Sequence, residues 1–216
     1  MRTQAVRTHA VWLSPPIWSV PKDWTGERCF VICGGESVKA QRDLIPKLQG
    51  RIIAVKEGAL LRPDADVLFF AGERADLTAP PCLKVFRGQY IVVRGRGHWI
   101  FPDDSKRIGR TETHEKLSAD PTKVCGFDAG TSAINLAVLF GATEIVVLGM
   151  DMIGGRWFNG ELPHYLPQPP ESDFQRHMGP LPSIAEDATA KGIQIVNVSP
   201  ISRVTCFESG RLEDYL

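Results

Sequence analysis

The residues with the clearest chemical potential sit in glycine-led turns. Gly34-Gly35-Glu36-Ser37 and Gly130-Thr131-Ser132 each stand ahead of a stretch with helical spacing. Adjacent glycines let a backbone approach a phosphate, and the free N–H groups at the start of a helix favour an anion. Neither turn is a G-x-G-x-x-G fingerprint, and the chain contains no G-x-x-x-x-G-K-[ST] loop. Glu36 complicates the picture, because a carboxylate beside a phosphate needs a metal or a neighbouring cation. Asp151 directly follows the most hydrophobic run of the chain, where a carboxylate either caps the next turn or binds a metal or ligand. Asn197 and Ser199 end the last strong apolar run and are candidates for substrate contact, with turn formation before Pro200 as their plainer role.

A second group of candidates lies between Met150 and Leu181, a Pro- and Gly-rich stretch holding Trp157, His164, Tyr165, Arg176 and His177. Long excursions of this kind in an ordered domain are often active-site loops, and residues 151–182 are expected to cover the site. Trp157 and Tyr165 would stack on a ligand ring or anchor the loop, and His164 would touch substrate or stack within it. His9, His98 and His114 stand in polar contexts and read as solvated.

The elements that must position these residues alternate in type. RCFVIC (28–33), RIIAVK (51–56), DVLFFA (66–71), EIVVLG (144–149) and IQIVNV (193–198) are short, nearly continuous apolar runs, which suit a parallel sheet covered on both faces. Helices are predicted over 38–48, capped by Ser37, over 130–141, and from a Ser183/Glu186 capping box to about 191. LKVF (83–86) and YIVVR (90–94) suggest a hairpin or two edge strands, SRVTCF (202–207) a short edge strand, and residues 94–123 a polar surface excursion. The expected fold is a single α/β domain, Rossmann-like and doubly wound, with a mostly parallel sheet and helices on both faces. In such sheets a ligand binds where the strand order reverses. The turns meeting there would be those at Gly34–Ser37 and Gly149–Asp151.

Composition narrows the partners. Of 216 residues, 25 are basic and 25 acidic, so no long-range field gathers nucleic acid or anionic membrane. Hydrophobic residues make up 43%, enough for a sizeable core. No apolar run approaches the ~18–20 residues that span a bilayer, and the N-terminal stretch lacks a signal-peptide core. A cytoplasmic protein without a membrane partner is expected. The five scattered cysteines form no C-x-x-C pair and read as structural thiols rather than a zinc site.

Three blocks carry a resemblance: VICGGESVKAQRDLIPKLQGRIIAVKEG, DAGTSAINLAVLFGATEIVVLGMDM and IVNVSPISRVTCF. Together they resemble a bacterial and phage family of unknown function that includes archaeal 6-hydroxymethylpterin pyrophosphokinases and is similar to bacterial CMP-sugar sialyltransferases. The likeness covers about residues 28–72 and 124–208. The sialyltransferase-like pattern has a G-x-G-P-S turn, which stands here as Gly34-Gly35-Glu36-Ser37 without the proline. Its asparagine after the second strand is replaced by Lys56, which would pair with phosphate directly. Its loop histidine matches His177, six residues before Ser183, and the resemblance makes this histidine the general base for an acceptor hydroxyl. An imidazole takes and returns a proton near neutral pH.

The resulting expectation is a nucleotide-dependent group transferase, most simply a glycosyltransferase using a nucleotide-sugar donor. Gly34, Gly35, Glu36, Ser37, Lys56, Gly130, Thr131 and Ser132 would hold the donor. Asp151 would orient it, His177 would act as base, and Trp157, His164, Asn197 and Ser199 would contact substrate. One alternative is pyrophosphoryl transfer from ATP, which needs Mg²⁺ and would draw on Asp66, Asp128 and Asp151. Another is a non-catalytic nucleotide-binding or scaffold protein of phage type. A nucleic-acid acceptor is not favoured, and a homo-oligomer is allowed.

Overall fold

Runs rich in Val, Ile and Phe, each bounded by glycine or turn residues, become strands because branched and aromatic side chains pack well on a pleated surface. The computed structural model describes residues 16–71, 81–93, 101–158 and 170–216. In chain order these hold β1 (Arg28–Ile32), α1 (Val38–Gln41), β2 (Arg51–Val55), β3 (Val67–Phe70), α2 (Cys82–Val85), β4 (Gln89–Val93), β5 (Lys106–Arg110) and β6 (Lys123–Val124). They continue with α3 (Ala129–Phe140), β7 (Glu144–Leu148), α4 (Glu171–Met178), α5 (Leu181–Ala190), β8 (Gln194–Asn197) and β9 (Glu208–Ser209). The strands form one sheet in the order β6-β5-β4-β3-β2-β1-β7-β8-β9. Every neighbouring pair is parallel. This is the expected α/β, Rossmann-like class.

Two separate cores confirm that both faces are covered. The pleat sends Cys29, Val31 and Cys33 to one core, with Ile134, Ala137 and Phe140 of α3 and Ile184 of α5. Phe30 and Ile32 go to the other, with Val38, Ile45, Cys82 and Leu212. Phe30, Ile32, Ile134 and Ile145 are fully buried, each such side chain contributing about 1.5–3 kcal/mol. At the N-terminal edge Arg28 Nε donates to Glu144 at 2.6 Å, and Arg51 Nε to Glu27 at 2.8 Å. Asp66 accepts from Arg51 and, at 2.8 Å, from the Ile52 N–H. These half-exposed pairs add little stability, but they tie the starts of β1, β2 and β7 to their neighbours.

Several local expectations fail for identifiable reasons. The helix predicted over 38–48 is only α1 followed by a 3-10 turn at Ile45–Lys47, because Pro46 lacks the N–H a continuing helix needs. Ser37 is no side-chain cap: it adopts a helical backbone and its hydroxyl is engaged elsewhere. LKVF lies in α2 and its exit, and Tyr90–Val93 pairs in parallel with β3, so there is no hairpin. The polar excursion contains β5 and β6, with Ile108 fully buried and Arg107 nearly so. Ser183 lies inside α5, which starts at Leu181 behind Pro180, so no capping box forms. The last edge strand is Glu208–Ser209 rather than 202–207. Among the described residues, no helix is long and apolar enough to cross a membrane.

The placement of β5 is directly testable. Ile108→Ala should lower unfolding free energy by about 2–5 kcal/mol in urea titrations, as loss of a buried aliphatic side chain does. Glu112→Ala, exposed just beyond the strand, should stay within about 0.5 kcal/mol of the parent. Equal, small effects would show that residues 106–110 are not core.

Candidate functional site

Because β1 pairs with β2 on one side and β7 on the other, the chain leaving β1 and the chain leaving β7 turn away from each other at the C-terminal edge. A cavity of about 210 Å³ opens there. Its walls come from Cys33–Gly35 after β1, Val55–Glu57 after β2, Asp128–Gly130 at the start of α3, Gly149–Ile153 after β7, and Phe174 and His177 of α4. The two turns are pressed together: a Cβ on Gly35 would stand 2.5 Å from the Gly149 carbonyl oxygen and 2.6 Å from the Asp151 carboxyl carbon. Glycine at position 35 is thus a matter of space.

Asp151 is the clasp between the turns. It is 2% exposed. Its Oδ2 accepts from the Ser37 N–H at 2.8 Å and its Oδ1 from the Ser37 hydroxyl at 2.5 Å. Burial raises the Asp151 pKa despite these bonds and the further help of Ser199. Behind it, the Met150 N–H donates to Ser199 Oγ at 3.0 Å and the Met150 carbonyl accepts from Ser202 Oγ at 2.7 Å. Asn197 Nδ2 donates to Ser202 Oγ at 2.9 Å. Asn197 and Ser199 therefore brace the Met150–Asp151 turn from behind rather than lining the cavity.

The opposite wall begins at Asp128, the N-cap of α3, whose Oδ1 accepts from the Thr131 N–H at 2.9 Å and whose Oδ2 accepts from the Thr131 hydroxyl at 2.5 Å. Ser132 Oγ donates to the Asp128 carbonyl at 2.9 Å. Thr131 and Ser132 are completely buried in this cap, whereas Ala129 and Gly130, carrying the first two helical amides, line the cavity. The helix start faces the cavity through backbone, not through its hydroxyls. Glu36 is exposed, 3.5 Å from the Lys39 ammonium, and is not part of the wall.

Lys56 supplies the cation. It lines the cavity with a backbone φ of 51°, and Met152 on the facing turn has φ 53°. These are the two non-glycine residues with left-handed φ among those described. Such conformations cost on the order of 1–3 kcal/mol each and cluster at functional sites. Burial lowers the Lys56 pKa; the Glu57 carboxylate opposes this, and Arg156 adds to the lowering. Cys33 also faces the cavity, but burial pushes its thiol far up, so it stays protonated and unreactive.

His177 lies one turn from Phe174 on α4, and the two share the face that closes the cavity. Trp157 does not line it. That ring is 2% exposed, packs edge-on against Phe158 at 5.5 Å and has the Arg42 guanidinium 5.9 Å from its centre. The Trp157 backbone N–H donates to the Gly34 carbonyl at 3.2 Å, so the residue anchors the loop. His164, with Tyr165, lies outside the described residues. The wall residues missed in the sequence include Glu57, Met152, Arg156, Phe158 and Phe174. For Arg156 and Phe158 a signal existed, since both follow Gly154-Gly155 within ten residues of the switch-point strand.

Asp66, Asp128 and Asp151 do not converge on a metal. Asp66 is at the N-terminal ends of the strands, opposite the cavity, and the other two have both oxygens occupied by Thr131 and Ser37. Among the described residues, no group of three or more His, Cys, Asp or Glu is placed to hold an ion. No protein-family model matches the chain, and no curated protein matches it.

The clasp gives an unusual mutational signature. Asp151→Ala should cost about 1–3 kcal/mol by leaving the buried Ser37 N–H without an acceptor. Asp151→Asn keeps one acceptor and removes a buried charge, so at pH 7 it should be at least as stable as the parent. Because the folded-state pKa is raised, the buried carboxylate costs stability only above the unfolded pKa. The advantage of Asn should therefore vanish as pH falls below about 4 in urea titrations.

Proposed function

We propose that the chain is a nucleotide-dependent group transferase, with a nucleotide-activated donor, most simply a nucleotide sugar, entering the switch-point cavity phosphate first. The observation that carries this reading is Lys56: a half-buried cation on a left-handed backbone, sharing a small cavity with the first turn of a twelve-residue helix. A cation that burial has stripped of water favours an anionic ligand, which returns the lost solvation. Helix amides at the N-terminus of α3 reinforce the same preference.

In this reading His177 takes the proton of an acceptor hydroxyl as its oxygen attacks the transferred group. The bond from that group to the donor phosphate breaks, and the electron pair stays on the phosphate. Lys56 and the α3 amides then stabilise the developing charge, the kind of preorganised electrostatics that dominates catalysis. Asp151 contributes by holding the two turns in register. Mg²⁺-dependent pyrophosphoryl transfer fits less well, because the acidic side chains it would require are separated or already engaged.

A thermal-shift panel of CMP, UDP, GDP, ADP and ATP, with and without Mg²⁺, tests the binding step. A true ligand at ~100 times its dissociation constant adds ~2.7 kcal/mol, or roughly 5–10 °C for a chain of this size. Absence of any shift refutes the proposal. With the donor known, His177→Ala should lower turnover by about 10²–10⁴-fold with unchanged donor affinity. Unchanged turnover would remove His177 as base.

Lys56 allows an independent check. Lys56→Gly should relieve the left-handed backbone and raise stability by about 1 kcal/mol while weakening donor binding about 10- to 100-fold. In the parent, affinity should fall as pH rises through the Lys56 pKa, beginning below the ~10.4 of an exposed lysine. Lys56→Arg should abolish that fall. Calorimetric titration from pH 6 to 10 reads both.

A further inference from the structure

At about 210 Å³ the cavity is smaller than the ~300–1,000 Å³ that encloses a drug-sized ligand. A phosphate group with part of a transferred group fits; a complete nucleotide does not. If the phosphates occupy the α3 end of the cavity, the rest of the nucleotide must lie on the rim.

The rim next to α3 carries an unexplained aromatic ring. Phe127 is 39% exposed, immediately before the Asp128 cap. A hydrophobic residue at this position ordinarily packs against the fourth residue of the helix as a staple. Here that residue is Ser132, polar and fully buried, with its hydroxyl bonded to the Asp128 carbonyl. The usual structural reason for a phenylalanine is therefore missing. The ring instead meets His114, centroid to centroid at 4.1 Å and tilted by 59°, while the Arg176 guanidinium stands 5.8 Å from its centre. His114 is held by the Gly126 N–H, which donates to its Nδ1 at 3.2 Å and leaves Nε2 as the ring's donor. Arg110 Nη1 lies 3.5 Å from the Phe127 carbonyl.

This cluster is continuous with the cavity from both sides. Phe127 is two residues from Ala129, whose amide starts α3 on the cavity wall, a separation of at most ~7 Å. Arg176 precedes His177 on α4, which is also on the wall. Aromatic faces and guanidinium planes are the two surfaces on which nucleobases stack. A base sandwiched between them needs ~7 Å, two layers of ~3.5 Å. The observed 5.8 Å is about one ångström short, and Arg176 is an exposed side chain at the end of a flexible stem.

We propose that Phe127, with Arg176 above it and His114 beside it, stacks the base of the mononucleotide whose phosphates enter the cavity. The proposal rests on the nucleotide reading and adds where the base goes. Stacking on one ring discriminates weakly among bases, so the subsite takes a nucleoside phosphate as a class rather than selecting one by hydrogen bonds.

Calorimetry with ADP, UDP and CMP against inorganic pyrophosphate separates the two claims. The parent should bind at least one nucleotide more tightly than pyrophosphate. Phe127→Ala should weaken that nucleotide roughly 5- to 150-fold and leave pyrophosphate unchanged, while Phe127→Trp retains nucleotide affinity. Arg176→Ala should act in the same direction as Phe127→Ala, by a smaller factor. Both residues are exposed, so matching melting temperatures should show intact folds. Unchanged nucleotide affinity in Phe127→Ala overturns the stacking subsite and leaves the nucleotide reading standing. Pyrophosphate binding as tightly as any nucleotide also overturns the subsite, but leaves an anion site. No binding by any of the four ligands refutes both. Tighter binding of a short single-stranded RNA than of any mononucleotide would assign the ring to a nucleic acid and overturn the proposal as made.

Discussion

The geometry of the site depends on a single buried carboxylate. At the centre of the sheet β1 has neighbours wound in opposite directions, so the two chains leaving β1 and β7 diverge where they would otherwise pack over each other. The Gly35 N–H joins them by donating to the Gly149 carbonyl at 2.9 Å, and Asp151 adds two bonds to Ser37, at the cost of keeping an acidic group away from water. Buried polar groups that are fully bonded specify one arrangement more strongly than they stabilise it. Here the arrangement specified is a crevice, with the backbones of Gly35 and Gly149 in contact on one side and α3 on the other.

Around that crevice stability has been given up in several places at once. Two non-glycine residues hold left-handed backbones on facing walls, and a lysine sits where burial weakens its charge. None of these features helps the fold, and each is oriented toward one small volume. Sites that bind or react are where such departures accumulate, because the surrounding sheet is stable enough to hold them. The strain lies on the turns that follow β2 and β7, the second of which carries the Asp151 clasp.

The distribution of aromatic residues separates scaffolding from recognition. Trp157 and Trp24 are buried and tie loops to the body of the protein; Trp24 stacks on Phe140 at 3.9 Å. Phe158 and Phe174 line the cavity, and Phe127, next in sequence to the lining residue Asp128, stands exposed.

The fold was largely legible in the chain itself, because strands buried on both faces must be almost wholly apolar. RCFVI, RIIAV, VLFF, EIVVL and QIVN therefore declare themselves and their alternation with helices. The reversal point followed from winding rules, and with it the glycine turns and Gly130. Elements at the sheet's far edge were not legible. Lys106–Arg110 is a strand with one fully buried aliphatic residue, and its charged side chains mask the pattern until neighbouring strands supply the context. LKV is helical because the chain must cross back to place β4 parallel to β3. Within the site, the sequence determined which residue types were available at the strand ends. Tertiary structure alone decided their allocation: Ser37, Thr131 and Ser132 to the clasp and cap, Trp157 to the core, Lys56 and Arg156 to the cavity, and Phe127 to its rim. That division is physical, since a hydroxyl, a ring or a charge satisfies whichever partner packing brings nearest, and those partners lie more than 100 residues away for Ser37 and Trp157.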